Sequence, residues 1–319
     1  MPLGEFEIIA RYFKKPTSGD VLLGIGDDAA VVSIPSSQRL VVAVDTIVEG
    51  VHFPVGTDAA DVGYRALAVN LSDLAAMGSV PKWMTLSLSL PDNDAQWLDG
   101  FASGLFDLAR KFNVQLIGGD TVRGPLVVTI QIAGWVESNR WLTRSGAQVG
   151  DLIFVSGHVG DAAGGLAAIQ QAMPEVESTR YLKQRFLRPE PRISLGRTLR
   201  DFASACMDIS DGLLTDLDKL CAASGVGAEI DADRLPLSSQ LRAAFDMERV
   251  LSFALAGGDD YELLFTSHAA DQSRLQNLKI PVTQIGRITA DRTVRCVRSG
   301  KEFDPNTRGY DHFEPGAKR

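Results

Sequence analysis

Residues 40–48, LVVAVDTIV, are β-branched and apolar at almost every position, which predicts a strand buried on both faces that ends near a carboxylate, Asp45. The stretch 58–78, DAADVGYRALAVNLSDLAAMG, is rich in Ala and Leu and is stopped by Gly78 with Pro81 beyond, the pattern of a helix. Asn70 and Asp73 are three residues apart and so share one face of it. In 83–90, WMTLSLSL, apolar and polar positions alternate strictly, as in a half-exposed strand. Residues 94–112 read as a helix, QLIGGDTVR as a strand interrupted by a glycine pair before Asp120, and 126–136, LVVTIQIAGWV, as another strand. One segment resists this scheme. In 22–32, LLGIGDDAAVV, adjacent carboxylates Asp27 and Asp28 stand between a Gly-x-Gly turn and an apolar run that looks buried. Two such anions repel at a cost of about 1–4 kcal/mol, so a positive partner is required.

The stretch 145–151, SGAQVGD, is small, polar and punctuated by glycine, which suits a hinge. Beyond it come a strand (LIFVSG), a glycine-rich turn entering a helix (GHVGDAAGGLAAIQ), a helix after RPEP, a strand–turn–helix (ACMDISDGLLTDLDKLCAASG) and a strand after AGGDD. Strands and helices interleave in both halves without a fixed-period repeat, so the class is α/β or α+β. At 319 residues two domains are expected, 1–145 and 146–319.

A formal charge of −8 excludes a surface built for nucleic acid or anionic lipid, both of which need clustered Lys and Arg. Glu5, Glu7 and Arg11 interrupt any signal-like apolar core and no run has membrane-spanning length, so a cytoplasmic protein is expected. Cys206, Cys221 and Cys296 form no CxxC pair and suggest neither a disulfide framework nor a thiolate zinc site.

Acids recur at the ends of strand-like segments in GIGDD, VAVDT, IGGDT, MDISDG and AGGDDYE, with the helical NLSD as a sixth place. Their neighbours are Gly, Ser and Thr rather than Lys or Arg, so local salt bridges do not account for them. If they converge, a hard divalent cation with oxygen ligands resolves the repulsion, and Mg²⁺ carrying a polyphosphate fits. Adjacent residues of an extended strand face opposite ways, so one of Asp27 and Asp28 is expected to be the principal ligand. The alternative is structural: an Asp beside Gly is a turn former, and Asp211 is placed to cap a helix starting at Leu213. GHVGDAAGG lacks the lysine of a P-loop, GIGDDA lacks the third glycine of a dinucleotide fingerprint, and neither HExxH nor G-x-S-x-G occurs. His52 reads equally as a packing residue or a ligand.

GEFEIIARYF, GIGDDAAV, ALAVNLSDLAAMG, QLIGGDTVRGP, RSGAQVGD, RPEPRI, DISDGLLTDL, GGDDYELLF and GYDHF, in this order over nearly the whole chain, resemble the thiamine-monophosphate kinase family, of the aminoimidazole ribonucleotide synthetase superfamily. The resemblance implies transfer of a phosphoryl group from ATP, as co-substrate, to thiamine monophosphate, with several Mg²⁺ ions. It implies a homodimer whose N-terminal domains, each with a mixed sheet, pair into a barrel, and a C-terminal α/β domain that completes the active site. By motif, Asp28, Asp45, Asp73, Asp120 and Asp208 would be metal ligands, and Asp211 would hold a further magnesium. Gly119, Asp120, Arg144 and Ser210 would contact ATP; His52, Asp259 and Tyr310 would line the thiamine-phosphate site. Asp28, Asp73, Asp120 and Asp208 would thus carry the catalytic role. Two positions depart from the family pattern: Ala43-Val44 precede Asp45 where Ser/Thr-Thr is frequent, and Asp259 stands where Glu is frequent.

The residues suit that chemistry independently. A phosphate monoester is an anionic nucleophile that needs no general base, so the obstacle is repulsion between two polyanions. Sister families fit less well: no Cys precedes Cys206, as a selenophosphate synthetase would require, and the chain ends EPGAKR rather than in the Cys of the hydrogenase-maturation relative. Aminoimidazole ribonucleotide synthetase is the enzymatic alternative. A nucleotide- or metal-binding regulator without turnover is the other.

Overall fold

The computed structural model, which describes residues 4–17, 19–275, 278–304 and 309, forms two units. One holds the residues up to Leu74 together with Ser79–Arg140; the other holds Ala75–Gly78 and the chain from Trp141 onward.

The first unit starts with α1 (Glu5–Ile8), continued by a π-helical turn, Ile9–Phe13, that buries Tyr12 and Phe13. A small antiparallel hairpin follows, β1 (Val21–Leu23) and β2 (Val31–Val32). Then come β3 (Gln38–Val48), α2 (Ala59–Ala76), β4 (Val80–Leu90), α3 (Ala95–Phe112), β5 (Gln115–Arg123) and β6 (Val127–Glu137). The last four strands form an open mixed sheet in the order β3-β6-β4-β5, antiparallel except for the parallel pair β4 and β5, which the α3 crossover joins. Asp94 caps α3, its carboxylate accepting the Gln96 N–H, and Asn113 ends it in the left-handed conformation. Leu67, Leu71 and Leu74 of α2, Leu98, Phe101 and Leu105 of α3, and Leu88, Ile130 and Ile132 of the sheet are fully buried. At Gly104 a Cβ would lie 1.8 Å from the Ala60 carbonyl oxygen, so the backbones of α2 and α3 pass in direct contact and only glycine fits there.

Two expectations fail here. β3 is a strand, but it is buried on one face only: Leu40, Val42 and Val44 are 47, 48 and 61% exposed. Among the described residues it is an edge strand whose one strand partner is β6. Residues 24–30 do not extend as a strand; they form the turn of the β1–β2 hairpin, and the flanking Leu22 and Val31 are exposed rather than buried. The sheet of one chain is open, with no closed barrel among the described residues.

The second unit comprises β7 (Leu152–Ser156), α4 (Asp161–Gln170), α5 (Glu177–Leu187), α6 (Ile193–Leu199), β8 (Ala203–Asp208), α7 (Leu213–Ser224), β9 (Gly227–Asp231), α8 (Ser239–Ala244), α9 (Met247–Ala256), β10 (Leu263–Ser267), β11 (Val282–Thr289), β12 (Val294–Arg298) and β13 (Lys301–Glu302). Its seven strands lie in the order β13-β12-β9-β11-β7-β10-β8, with only β9 and β12 parallel. Leu213, Leu217 and Leu220 of α7 recur at helical spacing and pack on Ile153, Met207, Ile230 and Leu264 of the sheet. A smaller cluster joins Leu182 of α5, Leu241 of α8 and Val250 of α9. No helix among the described residues is long and apolar enough to cross a membrane.

Candidate active site

The six acidic places of the sequence resolve into three pairings. The first lies in the first unit, where a cleft of about 700 Å³ is lined on one side by Asp27, Asp28, Gly119 and Asp120 and on the other by Phe6, Ile9 and Phe13. Asp28 and Asp120, far apart in sequence, therefore open onto one space. Because the acid pair sits in a turn, Asp27 and Asp28 both line the cleft, which replaces the expectation that strand alternation separates them. They differ in another way: Asp27 Oδ1 accepts the Asp28 N–H at 3.0 Å, so Asp27 is the turn former. Asp120 stands opposite Ser87 of β4, on the polar face of the sheet, and its Oδ1 accepts the Thr121 N–H at 2.9 Å. A Cβ at Gly119, φ +150°, would meet the Leu86 carbonyl oxygen at 1.9 Å, so a strand of this register requires glycine there.

The second pairing is on the opposite edge of the same sheet. Asn70 of α2 accepts the Asp45 N–H at 3.1 Å and donates to the Ala66 carbonyl at 2.9 Å, which joins β3 to the helix that carries Asp73 one turn later. His52, just past β3, accepts the Val48 N–H on Nδ1 at 3.0 Å, so its other ring nitrogen holds the proton of the neutral form. Asp45 and Asp120 belong to β3 and β5, the two edge strands, with β6 and β4 between them.

The third pairing is in the second unit. β8 ends at Asp208, which registers with Leu263 at the start of β10, so the MDISDG and AGGDDYE segments run side by side. Ser210 O accepts the Asp259 N–H and Ile209 O accepts the Tyr261 N–H, both at 2.9 Å. Asp259 and Tyr261 hold φ of 70° and 51°, a left-handed backbone that costs a non-glycine residue about 1–3 kcal/mol and needs such anchoring. The Tyr261 hydroxyl donates to Asp259 Oδ1 at 3.2 Å, and both residues are buried. Arg144 is exposed in the second unit, and Tyr310 lies outside the described residues.

Several polar residues that the sequence reading passed over carry these loops. Asp216, fully buried, reaches back from the first turn of α7 so that Oδ2 accepts the N–H groups of Ser210, Asp211 and Gly212 at 2.9–3.2 Å. Asp211 therefore does not cap α7 by its side chain; Asp216 does that work, and Asp211 Oδ2 instead meets Lys219 Nζ at 2.6 Å. Acids in the first turn of a helix are a sequence signal that could have found Asp216. Asp260 accepts the Gly160 and Ala162 N–H groups at 2.6 and 3.1 Å, filling the N-terminus of α4 from within. The glycine-rich turn before α4 thus has a structural role, with the amides of Gly157, Val159, Gly160 and Ala162 taken. Glu262 is paired with Arg185 at 2.9 Å and with Arg192, so charge partners do reach the AGGDDYE acids, but from distant sequence. Burial raises the carboxyl of Asp260 well above the usual range, and raises that of Asp161 beside it.

Thiol chemistry has no support. All three cysteines are buried, and desolvation pushes Cys221 to about 12 and Cys296 to about 11, with Cys206 also raised. Among the described residues no three His, Cys, Asp or Glu side chains gather into a metal cage. The pairings supply oxygen donors one or two at a time, which suits Mg²⁺ completed by waters and phosphates rather than zinc. In this structure the cation beside Asp211 is the Lys219 ammonium.

The description AIR synthase related protein, N-terminal domain, matches residues 26–136, and its C-terminal counterpart matches 148–298. Thiamine-monophosphate kinase of Escherichia coli strain K12 is 49% identical over 98% of this chain and 99% of its own length. A crystal structure of thiamine-monophosphate kinase from Stenotrophomonas maltophilia K279a shares 46% identity and superposes with a TM-score of 0.84 over 89% of this chain and 92% of that one. AaThiL complexed with AMPPCP and TMP is 34% identical, with a TM-score of 0.80 over 91% of this chain and 92% of that one. With both halves matched to one superfamily and relatives of one activity aligned from end to end, the chain belongs to the thiamine-monophosphate kinase family.

Proposed function

We propose that this chain transfers the γ-phosphoryl group of ATP to a phosphate oxygen of thiamine monophosphate, forming thiamine diphosphate and releasing ADP, in one in-line step. The observation that carries the proposal is the end-to-end relation to kinases of that name, one of them solved with AMPPCP and TMP. The chemistry of the residues supports it: acids and backbone amides are present in the three pairings, and no accessible thiol is available for a covalent intermediate. The acceptor oxygen is already ionised, so positioning and charge compensation are what the protein must provide.

In this reading Asp28, Asp45, Asp73, Asp120, Asp208 and Asp211 hold several Mg²⁺ ions. Bound there, magnesium would neutralise the facing phosphates of donor and acceptor. Gly119, Asp120, Arg144 and Ser210 bind ATP, with Arg144 supplying fixed positive charge. His52, Asp259 and Tyr310 receive thiamine monophosphate. Asp27 shapes the turn that presents Asp28, and Asp216 fixes the amides around Ser210 and Asp211. Asp259, held by Tyr261 and by its own N–H, is oriented before substrate arrives. Two copies associate through the first unit into a barrel; the exposed apolar residues of β3 support this, since a face of that kind asks for a cover. A cytoplasmic location accords with three free thiols.

Purified protein with Mg²⁺-ATP should convert thiamine monophosphate to thiamine diphosphate and leave thiamine untouched, as read by chromatography. Turnover only with formylglycinamidine ribonucleotide would favour the synthetase instead, and tight nucleotide binding without turnover on either acceptor would favour a regulator.

A further inference from the structure

The loop between β8 and α7 contains a positive charge of its own. Lys219, on the second turn of α7, places Nζ 2.6 Å from Asp211 Oδ2 and 2.8 Å from Asp216 Oδ1. The two carboxylates are not equivalent. Asp216 is fully buried, and its Oδ2 is committed to three successive amides, so it is a fixed anchor with no lone pairs turned outward. Asp211 is one third exposed, and it meets a Lys219 side chain that is 38% exposed. A lysine stem has four rotatable carbons and a strongly hydrated head, so leaving one carboxylate while keeping the other costs it little.

We propose that Lys219 is an internal counter-ion that occupies Asp211 when no divalent cation is present and withdraws to Asp216 when one binds. The proposal rests on the assignment of Asp211 as a magnesium ligand. Its consequence is that metal and ammonium compete for the same oxygen, so the loop binds a divalent cation weakly by itself and strongly only when nucleotide phosphates add further oxygens. The ammonium also spares the loop the repulsion between Asp211 and Asp216 in the unliganded state. Lys219 is thus a positioning residue that sets the order of loading and takes no part in the transfer itself.

The test is Mn²⁺ alone, titrated into the whole protein without nucleotide, with free Mn²⁺ followed by electron paramagnetic resonance. Lys219→Met, which keeps the stem and removes the charge, should bind Mn²⁺ about three- to fivefold more tightly at the Asp211 site, the range of a partly exposed ion pair. Lys219→Arg should restore the weaker binding, and in Asp211→Asn the Lys219→Met substitution should change nothing. Lys219→Gln, which retains a donor for Asp216, serves as the neutral variant if Lys219→Met is unstable. Equal Mn²⁺ affinity in the parent, Lys219→Met and Lys219→Gln, with a loss in Asp211→Asn, would overturn the counter-ion while leaving the ligand assignment intact. Unchanged affinity in Asp211→Asn would overturn both.

Discussion

Asn70 accepts the backbone N–H of Asp45 at 3.1 Å, so a side-chain amide from α2 closes a hydrogen bond on the open edge of β3. Edge strands normally leave such groups to water or to another chain. Asn70 is almost wholly buried and uses the other end of its amide on Ala66, which fixes the orientation of the accepting oxygen. Asn70→Ala should lower unfolding free energy by about 0.5–1.5 kcal/mol, the net worth of a hydrogen bond whose donor is half-buried. Urea denaturation measures it, and an unchanged midpoint would show that β3 is held by other means.

Asp27 and Asp28 should behave differently although both line the cleft. Asp27 spends an oxygen on the neighbouring amide, a bond that Asn can also accept, whereas the role proposed for Asp28 needs its negative charge. Asp28→Asn should reduce turnover by at least about 10–100-fold, while Asp27→Asn should leave most of it. Steady-state kinetics at saturating Mg²⁺-ATP decides, and equal losses would contradict the division of labour.

Burial raises the Asp260 carboxyl well above its unfolded value, against the opposing effect of the Gly160 and Ala162 amides. Arg185 also lowers it, and Asp161, across the same helix end, raises it. In the window between the two values the folded state binds the proton more tightly, so this group adds stability as pH falls from neutrality and loses it as pH rises through the folded value. The stability difference between the parent protein and Asp260→Asn should therefore shift in favour of the parent on going from pH 7.5 to about pH 4.5. Urea midpoints at the two values test it; a shift the other way would mean that the helix amides outweigh desolvation.

If Leu40, Val42 and Val44 are covered by a second copy, Val44→Asp places a charge in an apolar contact. Light scattering should give twice the 34.4 kDa chain mass for the parent and a lower mean mass for the variant at micromolar concentration. A parent at 34.4 kDa would remove the dimer.

The elements were legible where one signal dominated. The alternation of Thr85, Ser87 and Ser89 with Leu86, Leu88 and Leu90 is β4, and Asp94 with Asn113 bounds α3 as cap residues do. Burial was less legible, because an apolar strand reads the same whether its second face meets the same chain or nothing: Val42 and Val44 look like core and are not. Of the candidate site, the segments GIGDD, IGGDT and AGGDDYE stand out in the sequence by the glycines before their acids, and MDISDG by two acids three residues apart. Of their supports, only Asp216 carries a local signal, as an acid in the first turn of a helix. Asp260 acts on Gly160, a hundred residues away, and Glu262 is neutralised by Arg185 and Arg192 across a similar gap. Only the topology brings such partners together, and no local pattern encodes it.

The pairing of β3 with β6 runs without interruption from Gln38 opposite Glu137 to Val48 opposite Val127. On a ribosome adding roughly 5–20 residues per second, β3 emerges and then waits roughly 5–20 seconds for its partner to be translated. During that interval a long, β-branched, nearly uncharged segment is available to any other strand in the cell. Helix α2, made directly afterwards, can shield the face that holds Asp45, but not the one that holds Val42 and Val44. Nascent chains of this protein should therefore be clients of chaperones that recognise extended apolar segments, and crowding several ribosomes on one message would bring two such strands together before either has a finished sheet to join.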